Sequence, residues 1–144
     1  MTILGTLATR DWGVIWTDSE TLRLGSGEHY QFRNKLLANA LAGMVCASSG
    51  WSALGEAADG VAAEARDLDH AMRWLPDRLR QRCAKLLKAQ NRDPREVATQ
   101  RVILLGWSPE YSRVIAVEFT GAAFFEPVLI SGGAWPMVPE FHRL

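Results

Sequence analysis

The sequence has little sulfur and little imidazole: two cysteines and three histidines in 144 residues. Cys46 and Cys83 lack any metal-type spacing. His29, His70 and His142 stand outside any carboxylate or cysteine pattern that would hold zinc. Both cysteines are therefore expected as buried thiols in a reducing compartment. Excess charge is lacking as well. Sixteen basic residues balance sixteen acidic ones, so no overall field draws the chain to nucleic acid or to an anionic membrane. No apolar run nears the roughly 20 residues of a membrane span, and the start of the chain lacks the basic segment and long apolar core of a signal peptide. Repeats, low-complexity tracts and linkers are absent, and Gly25-Ser26-Gly27 lacks the lysine and helix start of a phosphate loop. These absences lead to the expectation of one cytoplasmic domain, residues 1–144, with no cofactor or metal. A chain of this length buries roughly two thirds of its unfolded surface.

What is present changes period along the chain. The first forty-nine residues read as β structure. Thr2 to Thr9 and Val14 to Thr17 flank a turn at Arg10-Asp11-Trp12-Gly13, and Tyr30 to Phe32 follows a glycine-bearing loop. Lys35 to Ala38 and Leu41 to Ala47 read as another pair around Asn39. From Leu54 to Leu68 apolar residues recur at three- and four-residue steps, which predicts a helix. Met72, Leu75, Leu79, Cys83, Leu86 and Leu87 form the stripe of a second helix, with Pro76 expected in its first turn. Strands return at Arg101 to Trp107, Arg113 to Phe119 and Ala122 to Ile130. Ser131-Gly132-Gly133 breaks the last of them, and Ala134 to Leu144 reads as irregular. A β-block, two helices and a second β-block predict an α+β fold, with two helices covering largely antiparallel sheet.

Charge is uneven between the helices. Five acids and one base lie between Glu56 and Asp69, against nine bases and three acids between Arg73 and Arg101. A nucleic-acid surface would want aromatic residues interleaved with those bases, and Trp74 is the single aromatic residue among them. Pairing of the basic helix with its acidic neighbour, or with another subunit, accounts for the pattern better.

The chemistry-bearing feature is Thr2, behind the initiator methionine, with Asp18 sixteen residues on and Lys35 after it. A threonine that becomes the N-terminus holds a hydroxyl nucleophile and a free α-amine on one residue, so it carries its own base. That amine has a reference pKa of roughly 7.7–8.0, and a nearby cation lowers it by like-charge repulsion. With Met1 in place there is no such amine.

Taken together, Thr2, Thr17-Asp18-Ser19, Asn34-Lys35-Leu36-Leu37, Ala47-Ser48-Ser49-Gly50, Ile103 to Trp107 with Pro109, and Ile130-Ser131-Gly132-Gly133 resemble the proteasome β-subunit and HslV-like family of N-terminal-nucleophile hydrolases. The resemblance runs from Thr2 to about Gly133. It implies Thr2 as nucleophile, Asp18 holding Lys35 charged and in place, Ser49 and Gly50 supplying oxyanion-binding amides, and Ser131 assisting the amine. The sequence stops soon after Ser131, where the family continues through further helices and strands, so a face of the layered fold is expected to need cover.

Two functions follow from the resemblance. One is a threonine-type amidohydrolase or peptidase in a homo-oligomer, an enzyme only if Met1 is removed, acting on peptide and served by an unfoldase or a larger assembly. The other is a catalytically silent, proteasome-like structural subunit that builds a ring or tube within a larger assembly.

Overall fold

The computed structural model describes residues 3–18, 20–22, 29–32 and 35–135. Residues 1, 2, 19, 23–28, 33, 34 and 136–144 lie outside the described residues, and the nucleophile candidate Thr2 is among them.

Among the described residues all strand pairing is antiparallel. β1 (Leu4–Ala8) and β2 (Gly13–Thr17) form a hairpin, and β3 (Glu20–Leu22) and β4 (His29–Phe32) form a two-stranded ribbon. β5 (Leu36–Asn39), β6 (Met44–Ser49), β7 (Arg101–Ser108), β8 (Arg113–Thr120) and β9 (Val128–Ile130) make a five-stranded sheet in that order. β10 (Gly132–Trp135) leaves that sheet and joins the far side of β1, giving a three-stranded sheet β10-β1-β2. Between β6 and β7 come α1 (Ser52–Glu64) and α2 (Leu68–Ala89), followed by a 3-10 turn at Pro94–Thr99.

The two-residue period of the central strands divides the core. Met44, Cys46, Val102, Leu104, Ile115, Val117 and Phe119 face the helices and pack with Leu54, Val61, Leu68, Leu75 and Leu79. The alternate residues Ala47 and Ile103 face the three-stranded sheet and pack with Leu4, with Ile15, Leu36 and Ile130 at the margin. The helices thus cover one face of the five-stranded sheet, and β1 and β2 cover the other. Among the described residues no helix is long and apolar enough to cross a membrane.

Two polar clamps set the helices on the sheet. The Asn39 amide donates to the carbonyls of Ala62 at 2.9 Å and Ala63 at 3.3 Å, satisfying the open end of α1, while its oxygen accepts from the Ala42 N–H. At the start of α2, buried Asp69 accepts from Ser108 Oγ at 2.6 Å and from the Glu110 N–H at 2.8 Å, binding the β7–β8 turn to the helix. Asp67 caps the same helix by accepting from the His70 N–H.

Several expectations need correction. Pro76 lies in the interior of α2 rather than in its first turn, and Leu68 begins α2 rather than ending α1. The i−4 carbonyl opposite Pro76 loses its helical donor, yet the helix continues because both sides of the break are buried in the core. The segment from Ala122 to Ile130 is strand only over Val128–Ile130. Before it, a 3-10 turn at Gly121–Ala123 leads into Phe124 and Phe125, both at positive φ. Gly132 and Gly133 open a new strand instead of a turn, and Ala134 and Trp135 belong to that strand.

Replacing Asp69 with alanine strands the Ser108 hydroxyl and the Glu110 N–H. A loss of about 3 kcal/mol in urea unfolding is expected. A loss below about 0.5 kcal/mol would show that the clamp is idle.

Candidate functional site

Three chain segments converge at one end of the sandwich. Lys35 immediately precedes β5, and the β5–β6 register that pairs Leu36 with Ala47 carries it alongside Ser48. Asp18 immediately follows β2, and its N–H donates to the Ile3 carbonyl at 3.0 Å, so it sits beside the entry to β1. The two side chains meet across the sheets: Lys35 Nζ lies 2.9 Å from Asp18 Oδ1, with Lys35 only 7% exposed and Asp18 24%. An ammonium withdrawn this far from water requires a counter-charge, because desolvation costs several kcal/mol per ion. Leu4, fully buried against Ala47 and Ile103, holds the start of β1 against the ends of β6 and β7.

The turn from β6 into α1 forms the adjoining wall. Gly50 has φ +118°, a backbone shape that side-chain-bearing residues rarely adopt, and a Cβ there would fall 2.1 Å from Gln100 Oε1. Gln100 itself is buried. Its oxygen accepts from the Trp51 N–H at 2.6 Å, and its amide donates to the Glu96 carbonyl at 2.9 Å. The Trp51 indole N–H donates to Glu96 Oε2 at 2.9 Å, which ties the 3-10 turn to the same corner. The Ser49–Gly50 backbone is thereby fixed from behind.

Next to Ser49 in the β6–β7 register is Arg101, whose Nε lies 3.1 Å from Glu118 Oε2 with both side chains largely buried. Burial holds the Arg101 guanidinium below its usual pKa, and Glu118 opposes that shift. A second ion pair therefore lies one strand beyond the Ser49 turn, on the face toward β1 and β2.

Of the residues expected to form the site, the structure brings Asp18, Lys35, Ser49 and Gly50 to this end. Ser131 lies away from them along β1. The Ala8 N–H donates to the Ser131 carbonyl at 2.8 Å, and β10 runs antiparallel to β1 from Leu7↔Gly132 to Leu4↔Trp135. Ser131 is thus five residues along β1 from Ile3, about 17 Å at ~3.4 Å per residue. Trp135 is the residue that pairs near the site end. Reading Ser131-Gly132-Gly133 as a turn hid this, since only the pairing of β10 shows which end of β1 each residue reaches.

Gln100, Arg101 and Glu118 were missed. A single glutamine before an apolar strand carries no signal of its own, and neither do charged residues at strand positions whose facing depends on an unknown partner. The thiols lie elsewhere: Cys46 and Cys83 are buried, and burial pushes both up from their ordinary pKa, most of all Cys46. Neither is a nucleophile candidate.

If the sheet-bridging pair organises this end of the fold, Asp18→Asn is expected to destabilise the protein by about 2 kcal/mol. The double variant Asp18→Asn/Lys35→Met should recover at least half of that loss. Denaturant melts of the four proteins give the coupling energy, and a value near zero would reduce the pair to an incidental contact.

No family model and no curated protein matches the sequence. Its fold does match solved structures. A Gly-1 mutant of Anbu from Hyphomicrobium sp. strain MC1 superposes with a TM-score of 0.72 at 14% identity, over the whole of this chain and 65% of that one. The chain therefore spans about two thirds of the length of that neighbour. A likeness at this identity speaks for architecture alone, and the architecture is proteasome-like α+β.

Proposed function

We propose that the protein is a threonine-type N-terminal-nucleophile amidohydrolase or peptidase, in which loss of Met1 exposes Thr2. The observation that carries this reading is the buried Lys35–Asp18 pair, tied through the Asp18 N–H to Ile3, the residue that follows Thr2. A buried ion pair is weak as a device for stability. A cation held beside the first residue of a strand is what an α-amine base requires.

The chemistry then runs as follows. Thr2 Oγ attacks a carbonyl carbon while the α-amine, kept neutral by the neighbouring Lys35 cation, accepts the hydroxyl proton. The oxyanion is received by backbone N–H groups of the Ser49–Gly50 turn, each worth roughly 3 kcal/mol of barrier. Collapse expels the amine of the scissile bond, which takes the proton from the α-ammonium and leaves Thr2 as an ester. Water hydrolyses that ester with the amine again as base. Ser131 takes no part in this scheme.

A second reading, a silent proteasome-like subunit of a larger homo-oligomeric assembly, draws support from the outer face of the β10-β1-β2 sheet. Ile3, Leu7 and Val14 are each more than two fifths exposed there, and Trp16 lies over Gly5 beside them. Apolar side chains grouped this way favour contact with another surface. Assembly is compatible with both readings, so the N-terminus discriminates between them.

Intact-mass measurement of protein from its native source is expected to show a species lighter by one methionine residue. Thr2→Ala should lower amide hydrolysis by about 10³-fold or more and abolish labelling by a threonine-directed electrophile. Lys35→Ala should cost about 100-fold in kcat. Native protein that wholly retains Met1 and resists the electrophile would leave the silent subunit as the function.

A further inference from the structure

The helical side of the molecule carries an open groove of about 260 Å³ between α1 and α2. One wall is Arg78, Arg82 and Lys85, at i, i+4 and i+7 of α2, so the three cations follow one stripe for about 10 Å. The other wall comes from α1, with Ala57 and Gly60 as its small floor residues and Glu64 as its carboxylate. A Cβ added at Gly60 would meet nothing within 4 Å, so a ligand backbone has room to approach there.

The charges of this groove are not satisfied within the described residues. Arg82 and Lys85 form no ion pair with any of them, and Arg78 lies over the Trp74 ring at 5.7 Å without a carboxylate. Glu64 lines the same groove and touches none of the three cations. Within the groove, Arg78, Arg82 and Lys85 thus form no ion pair with Glu64. The stripe faces outward instead.

We infer that this groove binds an acidic peptide segment of a partner protein. A row of cations spanning about 10 Å lies within reach of carboxylates on alternate residues of an extended chain, which recur at about 6.8 Å, because the long Arg and Lys stems take up the difference. Gln81, between the cations, offers an amide that can both donate to and accept from a peptide group. The cavity is smaller than the usual 300–1,000 Å³ of an enclosing small-molecule pocket, which suits side chains laid along a groove. Nucleic acid fits less well. The chain is neutral overall, and the Trp74 ring is already stacked by His70 at 5.6 Å and covered by Arg78.

The test uses fluorescence anisotropy with a labelled peptide carrying glutamate at alternate positions and its glutamine counterpart. The glutamate peptide should bind at least tenfold tighter at low salt and weaken toward physiological salt. Arg82→Glu/Lys85→Glu should remove that preference while leaving the circular dichroism spectrum unchanged. Arg73→Glu/Lys88→Glu, both outside the groove, should retain it and so controls for net charge. Equal affinity for the two peptides overturns the proposal, as does binding that survives the double reversal. Tighter binding of a single-stranded oligonucleotide at matched ionic strength overturns it in favour of nucleic acid. If sedimentation shows a dimer that the double reversal dissociates and the peptide does not disturb, the groove is a contact between copies of this chain.

Discussion

Two sheets that share no hydrogen-bonded strand are held in register by side chains that interdigitate between them and by any directional contact that bridges them. Here Lys35, at the head of β5, reaches Asp18, at the tail of β2, 2.9 Å away. Leu4, Ala47 and Ile103 supply the apolar contact beside it. Shifting β2 by one residue would move Asp18 off the Ile3 carbonyl and turn Ile15 away from the core, so register and ion pair specify one another. The entry of β1, the turn after β6 and the head of β7 all take their positions from this corner.

The same corner separates what is chemically placed from what is structurally supportive. Lys35 and Asp18 provide a desolvated cation beside the strand that follows Thr2. Gln100 and Glu96 touch no candidate reacting atom, yet they hold the Gly50 turn through Trp51. Arg101 and Glu118 carry a second buried pair onto the neighbouring strand. A chain that withdraws four charged groups this far from water at one end of its sheets bears a desolvation cost that apolar residues would not impose. The proposed hydrolase accounts for one of these pairs. For Arg101 and Glu118 the structure offers a position but no role.

The opposite faces of the molecule point to company. The outer side of the three-stranded sheet displays Ile3, Leu7 and Val14, while the helical side displays Arg78, Arg82 and Lys85. These surfaces differ in chemistry and lie on different layers, so they suit different occupants. One favours burial against another apolar surface, the other favours carboxylates.

Local pattern was enough for the α+β class and most element positions, because alternation, helical stripes and turn residues act over a few neighbours; that Asp18, Lys35, Ser49 and Gly50 share one end was an expectation of the family resemblance alone. It failed at Pro76, where burial on both sides carries a helix through a break that propensity alone would avoid. Nor could it place Ser131 along β1, since which end of β1 that serine meets depends on β10 crossing from one sheet to the other. Gln100, Arg101 and Glu118 gained their places only when strands distant in sequence came together. Residue type and short-range spacing are written in the chain. The partner that a buried polar group finds, or fails to find, is decided by packing between layers, which no local window contains.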